Sequence, residues 1–174
     1  GGHAFVGTNN ITLRRCTGTA AHSGGSTSYC KVFSIVPGTI VVEDCTFTGV
    51  PEPINLRNRS AGNQKVTVTN CTFTDCATTA IADKVKDEAW AAPIRVCVTD
   101  DPAGSTDLTV TNCTFNYTEG TTKCNGDILM GEGRDPKSWN SYPTVTATLV
   151  NTAAEVYVLQ PGDRVVAGEG PEIT

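Results

Sequence analysis

Three carboxylates, Asp83, Asp127 and Glu132, and the cation Arg57 fall in or beside what read as three successive loops, 57–65, 83–107 and 131–143. Two carboxylates flanking a glycosidic bond can divide the work of hydrolysis: one protonates the leaving oxygen and the other activates water or attacks carbon. A carboxylate pair holding Ca²⁺ beside an arginine base would instead serve lyase chemistry, and the adjacent acids Asp100 and Asp101 are the candidates for such a cation. Trp90, Trp139 and Tyr142 lie in neighbouring loops, with Asn55 and Arg134 close by in sequence or register. Exposed aromatic faces suit stacking on sugar rings, and an Asn/Arg surround suits an acidic or neutral glycan. The same residues also have an ordinary reading, in which the tryptophans clamp their loops onto a core and the acids and arginines form a solvated face. His3 and His22 are the only histidines, and no CxxC pair or Cys/His cluster is spaced for zinc. The expected cofactor is therefore none, with Ca²⁺ entering only if the groove is that of a lyase.

The elements that must position these residues announce themselves by repetition. Ile11-Thr12-Leu13-Arg14-Arg15-Cys16-Thr17, Ile40-Val41-Val42-Glu43-Asp44-Cys45-Thr46-Phe47-Thr48, Val66-Thr67-Val68-Thr69-Asn70-Cys71-Thr72-Phe73-Thr74 and Leu108-Thr109-Val110-Thr111-Asn112-Cys113-Thr114-Phe115-Asn116 are four copies of one unit. In each, apolar and polar residues alternate with the period of a half-buried strand, and β-branched types dominate. The alternation slips by one at Asn70, Asn112, Asp44 and, as the poorest fit, Arg15. Asn and Asp tolerate the left-handed backbone region, so the slip predicts a sharp bend between two short strands. A third strand-like piece precedes each following copy, at 31–35, 53–56, 80–82 and 127–130. The cysteines of the unit are 29, 26 and 42 residues apart, so the last interval holds one coil plus an insertion at 83–107. The insertion reads as a short helix around 83–90, an extra strand at Ile94–Val98 and a turn at 100–104. An antiparallel sandwich of Val-Thr strands is the competing architecture, although a sandwich has no reason to reuse Asn, Cys and Phe in phase.

The Thr-Asn-Cys-Thr-Phe strings at 69–73 and 111–115 resemble the right-handed parallel β-helix of the pectin-lyase-like superfamily over roughly residues 5–160. The resemblance implies an all-β, single-stranded parallel β-helix of about four to five coils, with stacked Asn and Cys ladders, as one domain over 1–174 and a cap or tail at 160–174. That fold is shared by lyases, hydrolases, esterases, tailspikes and adhesins, so it does not choose a function. The catalytic strings of polygalacturonase-like and pectate-lyase-like members are missing: only Asp100-Asp101 echoes the former, there is no Gly-His-Gly, and there is no Arg-x-Pro-x-x-Arg. The expectation is a non-catalytic, adhesin-like module of a secreted or cell-surface protein that presents loops to a glycan or host partner. The alternatives are a polysaccharide lyase or glycoside hydrolase acting on an acidic polysaccharide, and an ice-binding β-helix suggested by Thr-x-Thr rows. The varying period and the breaks at Arg14, Glu43 and Asn116 count against the last.

Composition narrows the partners. A formal net charge of −5 with few charged residues counts against nucleic acid and against an anionic membrane surface. No apolar run reaches transmembrane length. The Gly1-Gly2 start falls at the edge of a repeat and reads as a piece of a larger chain, so the lack of a signal peptide does not exclude secretion. Eight cysteines are present. Cys16, Cys45, Cys71 and Cys113 should stack inward as small apolar groups, while Cys30, Cys76, Cys97 and Cys124 lie outside that register and leave a disulfide open. Five Asn-x-Ser/Thr sequons occur, of which those at Asn70 and Asn112 are by-products of the bend. Uncapped β-helix ends would invite end-to-end self-association.

Overall fold

The structure, a computed structural model, describes residues 5–6, 9–19, 30–85, 91–99, 101, 103–131, 144–159 and 164–167, with the backbone alone at 5–6, 83–85 and 164–167. Among them the chain is all-β apart from one short helix, and its strands recur three at a time. The first triplet is β1 (Phe5–Val6), β2 (Asn10–Arg14) and β3 (Thr17–Thr19). The second is β4 (Cys30–Ser34), β5 (Gly38–Glu43) and β6 (Thr46–Thr48). The third is β7 (Glu52–Asn58), β8 (Gly62–Thr69) and β9 (Thr72–Thr74). Then come α1 (Thr79–Val85) and the fourth triplet, β10 (Ile94–Val98), β11 (Gly104–Thr111) and β12 (Thr114–Asn116). β13 (Ile128–Met130), β14 (Thr144–Val150), β15 (Val156–Val158) and β16 (Arg164–Ala167) complete the order.

First members pair with first members, second with second and third with third. The result is three sheets, in the orders β1-β4-β7-β10-β13-β15, β16-β14-β11-β8-β5-β2 and β12-β9-β6-β3, called A, B and C below. Every pairing between these strands is parallel, which sets aside the antiparallel sandwich and is consistent with a β-solenoid. The core lies between the sheets and is built of like residues stacked on like. In sheet B, Ile11, Ile40, Val66, Leu108 and Ala147 form one buried column, and Leu13, Val42, Val68, Val110 and Leu149 the next. In sheet C, Phe47, Phe73 and Phe115 stack with ring centroids 5.3 and 4.9 Å apart.

The predicted bends are where the sequence puts them. Arg15, Asp44, Asn70 and Asn112 have φ of 52°, 55°, 53° and 53°, the left-handed region in which Asn and Asp are least strained. Asn151, with φ 45°, is a fifth bend that the sequence reading missed. Its context, Leu149-Val150-Asn151-Thr152, is the Val68-Thr69-Asn70-Cys71 pattern with Thr in place of Cys, and that pattern was the available signal. Side chains link the bends: Asn70 Nδ2 donates to Asp44 Oδ1 at 3.1 Å, Asn112 Nδ2 to Asn70 Oδ1 at 3.3 Å, and Asn151 Nδ2 to Asn112 Oδ1 at 2.7 Å.

Four of the five bends are followed by a cysteine and the fifth, Asn151, by a threonine. Cys45, Cys71 and Cys113 donate weakly to the carbonyl two residues back, at 3.2, 3.3 and 3.4 Å. Thr152 makes the same bond to Val150 at 2.9 Å and also accepts the Cys113 amide at 3.1 Å. A small side chain that is apolar enough to be buried and can still donate satisfies the carbonyl turned loose at the bend. None of the eight cysteines is joined in a disulfide. Burial pushes the Cys76 thiol up to about 11 and raises that of Cys45, and a hydrogen bond with Cys113 together with burial raises that of Cys71. A raised pKa keeps the proton in the folded chain after the unfolded chain has lost it. The stabilisation is whole below the unfolded value near 9 and is lost as pH climbs toward the folded value. Urea midpoints are therefore expected to hold to about pH 8.5 and then to fall as pH rises to about 11, Cys76 alone contributing on the order of 2–3 kcal/mol. The check is the same titration in Cys76→Ala, which should flatten part of the fall.

Two readings of the sequence change. Residues 80–82, taken as a strand, lie in α1, where the Thr78 carbonyl accepts the Ile81 and Ala82 amides at 3.0 and 2.9 Å. Three apolar-leaning residues carry no period that separates strand from helix, and Ala favours the helix. The strand at Ile94–Val98, taken as an addition to the coil, holds the sheet-A position of its own triplet, between β7 and β13.

Candidate functional site

The outward side of sheet A brings two of the expected residues together and buries one of them. Alternation along β7 turns Ile54 and Leu56 into the core and Asn55 and Arg57 to the other face. Asn55 is nonetheless fully buried, in register with Arg95 of β10, which is only 2% exposed. Arg95 Nη1 lies 3.3 Å from Glu52 Oε1, Arg95 Nε points at Cys97 Sγ at 3.3 Å, and Asn55 Nδ2 donates to the other Glu52 oxygen. Both charges of the pair are removed from water, so each must hold the other and fill its remaining hydrogen-bond positions from polar neighbours. Asn55 Oδ1 and Arg57 Nε are buried atoms with no hydrogen-bond partner. The Arg57 guanidinium sits 5.6 Å from the centroid of the Phe33 ring, a cation–π arrangement. Sequence reasoning passed over Glu52, Arg95 and Cys97. The available signal was an arginine inside the otherwise apolar strand Ile94–Val98, because a charge on a strand buried on both faces must have a partner.

Asp127 stands elsewhere, immediately before β13, and its carboxylate is fully used. One oxygen accepts the Tyr117 hydroxyl at 2.8 Å and the other accepts the Glu155 amide at 2.8 Å. Lys123 Nζ approaches Asp127 at 3.2 Å, Glu155 at 3.1 Å and the Tyr117 ring at 4.8 Å. Burial first, and then the negative Asp127, raise the Tyr117 phenol far above its ordinary range. Burial pulls the Lys123 ammonium down, but its bonds to Glu155 and Asp127 outweigh that and hold it above its usual value. The cluster ties the loop after β12 to the chain entering β15; Asp127 is buried and fully bonded within it, while Glu155 is exposed and bound through one oxygen to Lys123.

Asp101 is a turn residue: its carboxylate accepts the Ala103 amide at 2.9 Å and its carbonyl the Gly104 amide at 3.0 Å. Asp83 is on α1, its side chain outside the described atoms. Trp90, Asp100, Glu132, Arg134, Trp139 and Tyr142 lie outside the described residues. Among the described residues no three His, Cys, Asp or Glu side chains converge as metal ligands, and no helix is long and apolar enough to cross a membrane.

A cavity of about 220 Å³ opens at the first triplet, lined by Leu13, Cys16, Gly18, Lys31 and Phe47 among others. Gly18 holds the rung position that Phe47 and Phe73 fill in the next two strands, and the Phe47 ring packs close against it. Even a methyl group at Gly18 would come within 2.7 Å of the Phe47 ring. The lining contains no carboxylate, so nothing there can act as the acid of a hydrolase.

Compared with protein-family models, curated proteins and solved structures, the chain matches none, and its functional reading rests on the geometry above.

Proposed function

We propose that the chain is a right-handed, single-stranded parallel β-helix of the pectin-lyase-like kind, serving as a non-catalytic module of a secreted or cell-surface protein that presents its loops to a glycan or host partner. The three-strand repeat, the left-handed bend between the second and third strands and the in-register ladders support the fold half of this reading. One observation carries the functional half. The two buried acids that the described part of the molecule gathers near sheet A are consumed internally, Glu52 by Arg95 and Asn55, Asp127 by Tyr117, Lys123 and the Glu155 amide, and the exposed Glu155 carboxylate is paired with Lys123. A hydrolase needs two carboxyl groups facing one bond, and a lyase needs carboxylates free to hold Ca²⁺. The segments before β10 and after β13 would carry the partner contacts, with Trp90, Trp139, Tyr142 and Arg134 as the residues to substitute first.

The test is a turnover screen on polyuronates and neutral glycans, with and without Ca²⁺, reading new double bonds and new reducing ends, beside retention of the chain on the same glycans. The expected result is retention without turnover, weakened at least tenfold in Trp90→Ala and Trp139→Ala. Turnover lost in Asp83→Ala, Glu132→Ala or Asp127→Ala would make the chain a polysaccharide lyase or hydrolase and overturn the proposal.

A further inference from the structure

Sheet C turns two rows of side chains outward. Because β3, β6, β9 and β12 are in register, Thr17, Thr46, Thr72 and Thr114 form one row and Thr19, Thr48, Thr74 and Asn116 the other. The residue between them in each strand, Gly18, Phe47, Phe73 or Phe115, faces the core. Thr72 and Thr74 are half-buried and the other six are exposed. The unequal sequence intervals do not disturb the rows, since the extra residues are taken up between triplets and not within sheet C. The charged interruptions at Arg14 and Glu43 are also elsewhere: they face each other on sheet B as an ion pair at 2.7 Å. Sheet C presents seven threonines, one asparagine and no charge.

Three properties of this array bear on what could bind it. Its period is two-dimensional, about 4.7–4.9 Å from strand to strand and about 6.6 Å between alternate residues along a strand. Each threonine is stiff at χ1, so its hydroxyl and methyl are held in place before anything binds. None of the seven hydroxyls is engaged by another side chain or backbone group among the described residues, in contrast to Thr118, Thr121 and Thr152 of the same chain, whose hydroxyls are all bonded internally. A dissolved glycan or a peptide repeats in one direction only, and an ionic partner would find no charge to meet. A prism face of ice repeats its oxygens close to these spacings in both directions, and takes hydroxyls as lattice members while methyl groups fill the hollows between them.

We propose that sheet C is an ice-binding face, a function separate from loop-borne partner binding and independent of it. The array spans four strands, so the activity is that of a small face. Ice grown in a solution of the chain becomes faceted, its growth lags behind its melting point on cooling, and a fluorescently labelled chain adsorbs to the crystal. Thr46→Lys/Thr72→Lys abolishes all three effects, because two ammonium groups in the middle of the array cannot enter the lattice. Thr12→Lys/Thr67→Lys, which adds the same charge to the outward face of sheet B, keeps them. Thermal unfolding of both variants checks that the sheet C pair still folds; if it does not, Thr46→Gln/Thr72→Gln replaces it and is expected to lose at least half of the growth lag. Round, unfaceted crystals with the parent chain, equal loss in the two lysine variants, or retention on crystalline cellulose without any effect on ice would each overturn the proposal. Turnover of a glycan by a chain that still shapes ice would overturn the loop-binding reading and leave this one standing.

Discussion

Replacing Phe73 by alanine is expected to destabilise the chain by about 3–5 kcal/mol, the largest loss of any single apolar truncation in sheet C. Phe73 is 1% exposed, and its ring is stacked on both sides, at 17° to Phe47 and 8° to Phe115. The transfer energy of a buried phenyl group is lost, and so are two stacked pairs worth about 0.5–1.5 kcal/mol each beyond area. The hole cannot collapse easily. Phe47 and Phe115 belong to strands fixed in register by β9 itself and by the cysteine columns beside them, so neither can drop into the gap. Phe115→Ala removes the same atoms from the end of the stack, where the ring is only half-buried and has one ring neighbour. It should cost clearly less. Equilibrium urea unfolding of the two variants measures the difference, and equal losses would mean that the stack contributes nothing beyond burial.

The second large effect is expected at the Glu52–Arg95 pair. Arg95→Met should cost about 3–5 kcal/mol, because it takes the buried guanidinium away from a fully buried Glu52 carboxylate. Adding Glu52→Gln to that variant should restore most of the loss: the amide keeps the bond to Asn55 and no longer carries a charge that must be desolvated. The double-mutant cycle therefore returns a coupling of about 2–3 kcal/mol. A loss under about 1 kcal/mol in Arg95→Met would mean that water reaches the pair. The same cycle separates a structural brace from a working acid, since a brace is rescued by the neutral double variant and a catalytic carboxylate is not.

How far the sequence could be read depended on whether a residue repeats. The bends at Asp44, Asn70 and Asn112 were legible because a slip in a period of two has one cheap solution, a left-handed residue, and the chain offers it at the same place each time. The inward columns followed from the same alternation. Residues 80–82 were misread because they are too few to show a period, and Asn151 was missed because its copy of the unit exchanges Cys for Thr and has no Phe. The candidate site was far less legible. Asn55, Arg57 and Asp127 were chosen as outward positions beside loops, which assumes that an outward position is a wet one. On sheet A that assumption fails. Asn55 and Arg95 point away from the core and are buried all the same, and what covers a sheet face is a matter of loop packing that alternation does not encode. Asp127 had no distinguishing mark in sequence, because its partners Tyr117, Lys123 and Glu155 are drawn from two different turns of the chain.

The amides along the bends all point one way. Asn151 donates to Asn112, Asn112 to Asn70 and Asn70 to Asp44, so each link is donor on the side of the chain's beginning and acceptor on the side of its end. Aligned amides polarise one another, and such a line ends best on a group that can only accept, which an ionised aspartate is. The row thus has a polarity like that of a helix, and its two ends are not interchangeable. A rung grafted after Asn151 can join by bringing one more asparagine. Asparagine in place of Asp44 would put at the head of the line an amide that carries donors of its own, where the present terminus carries none.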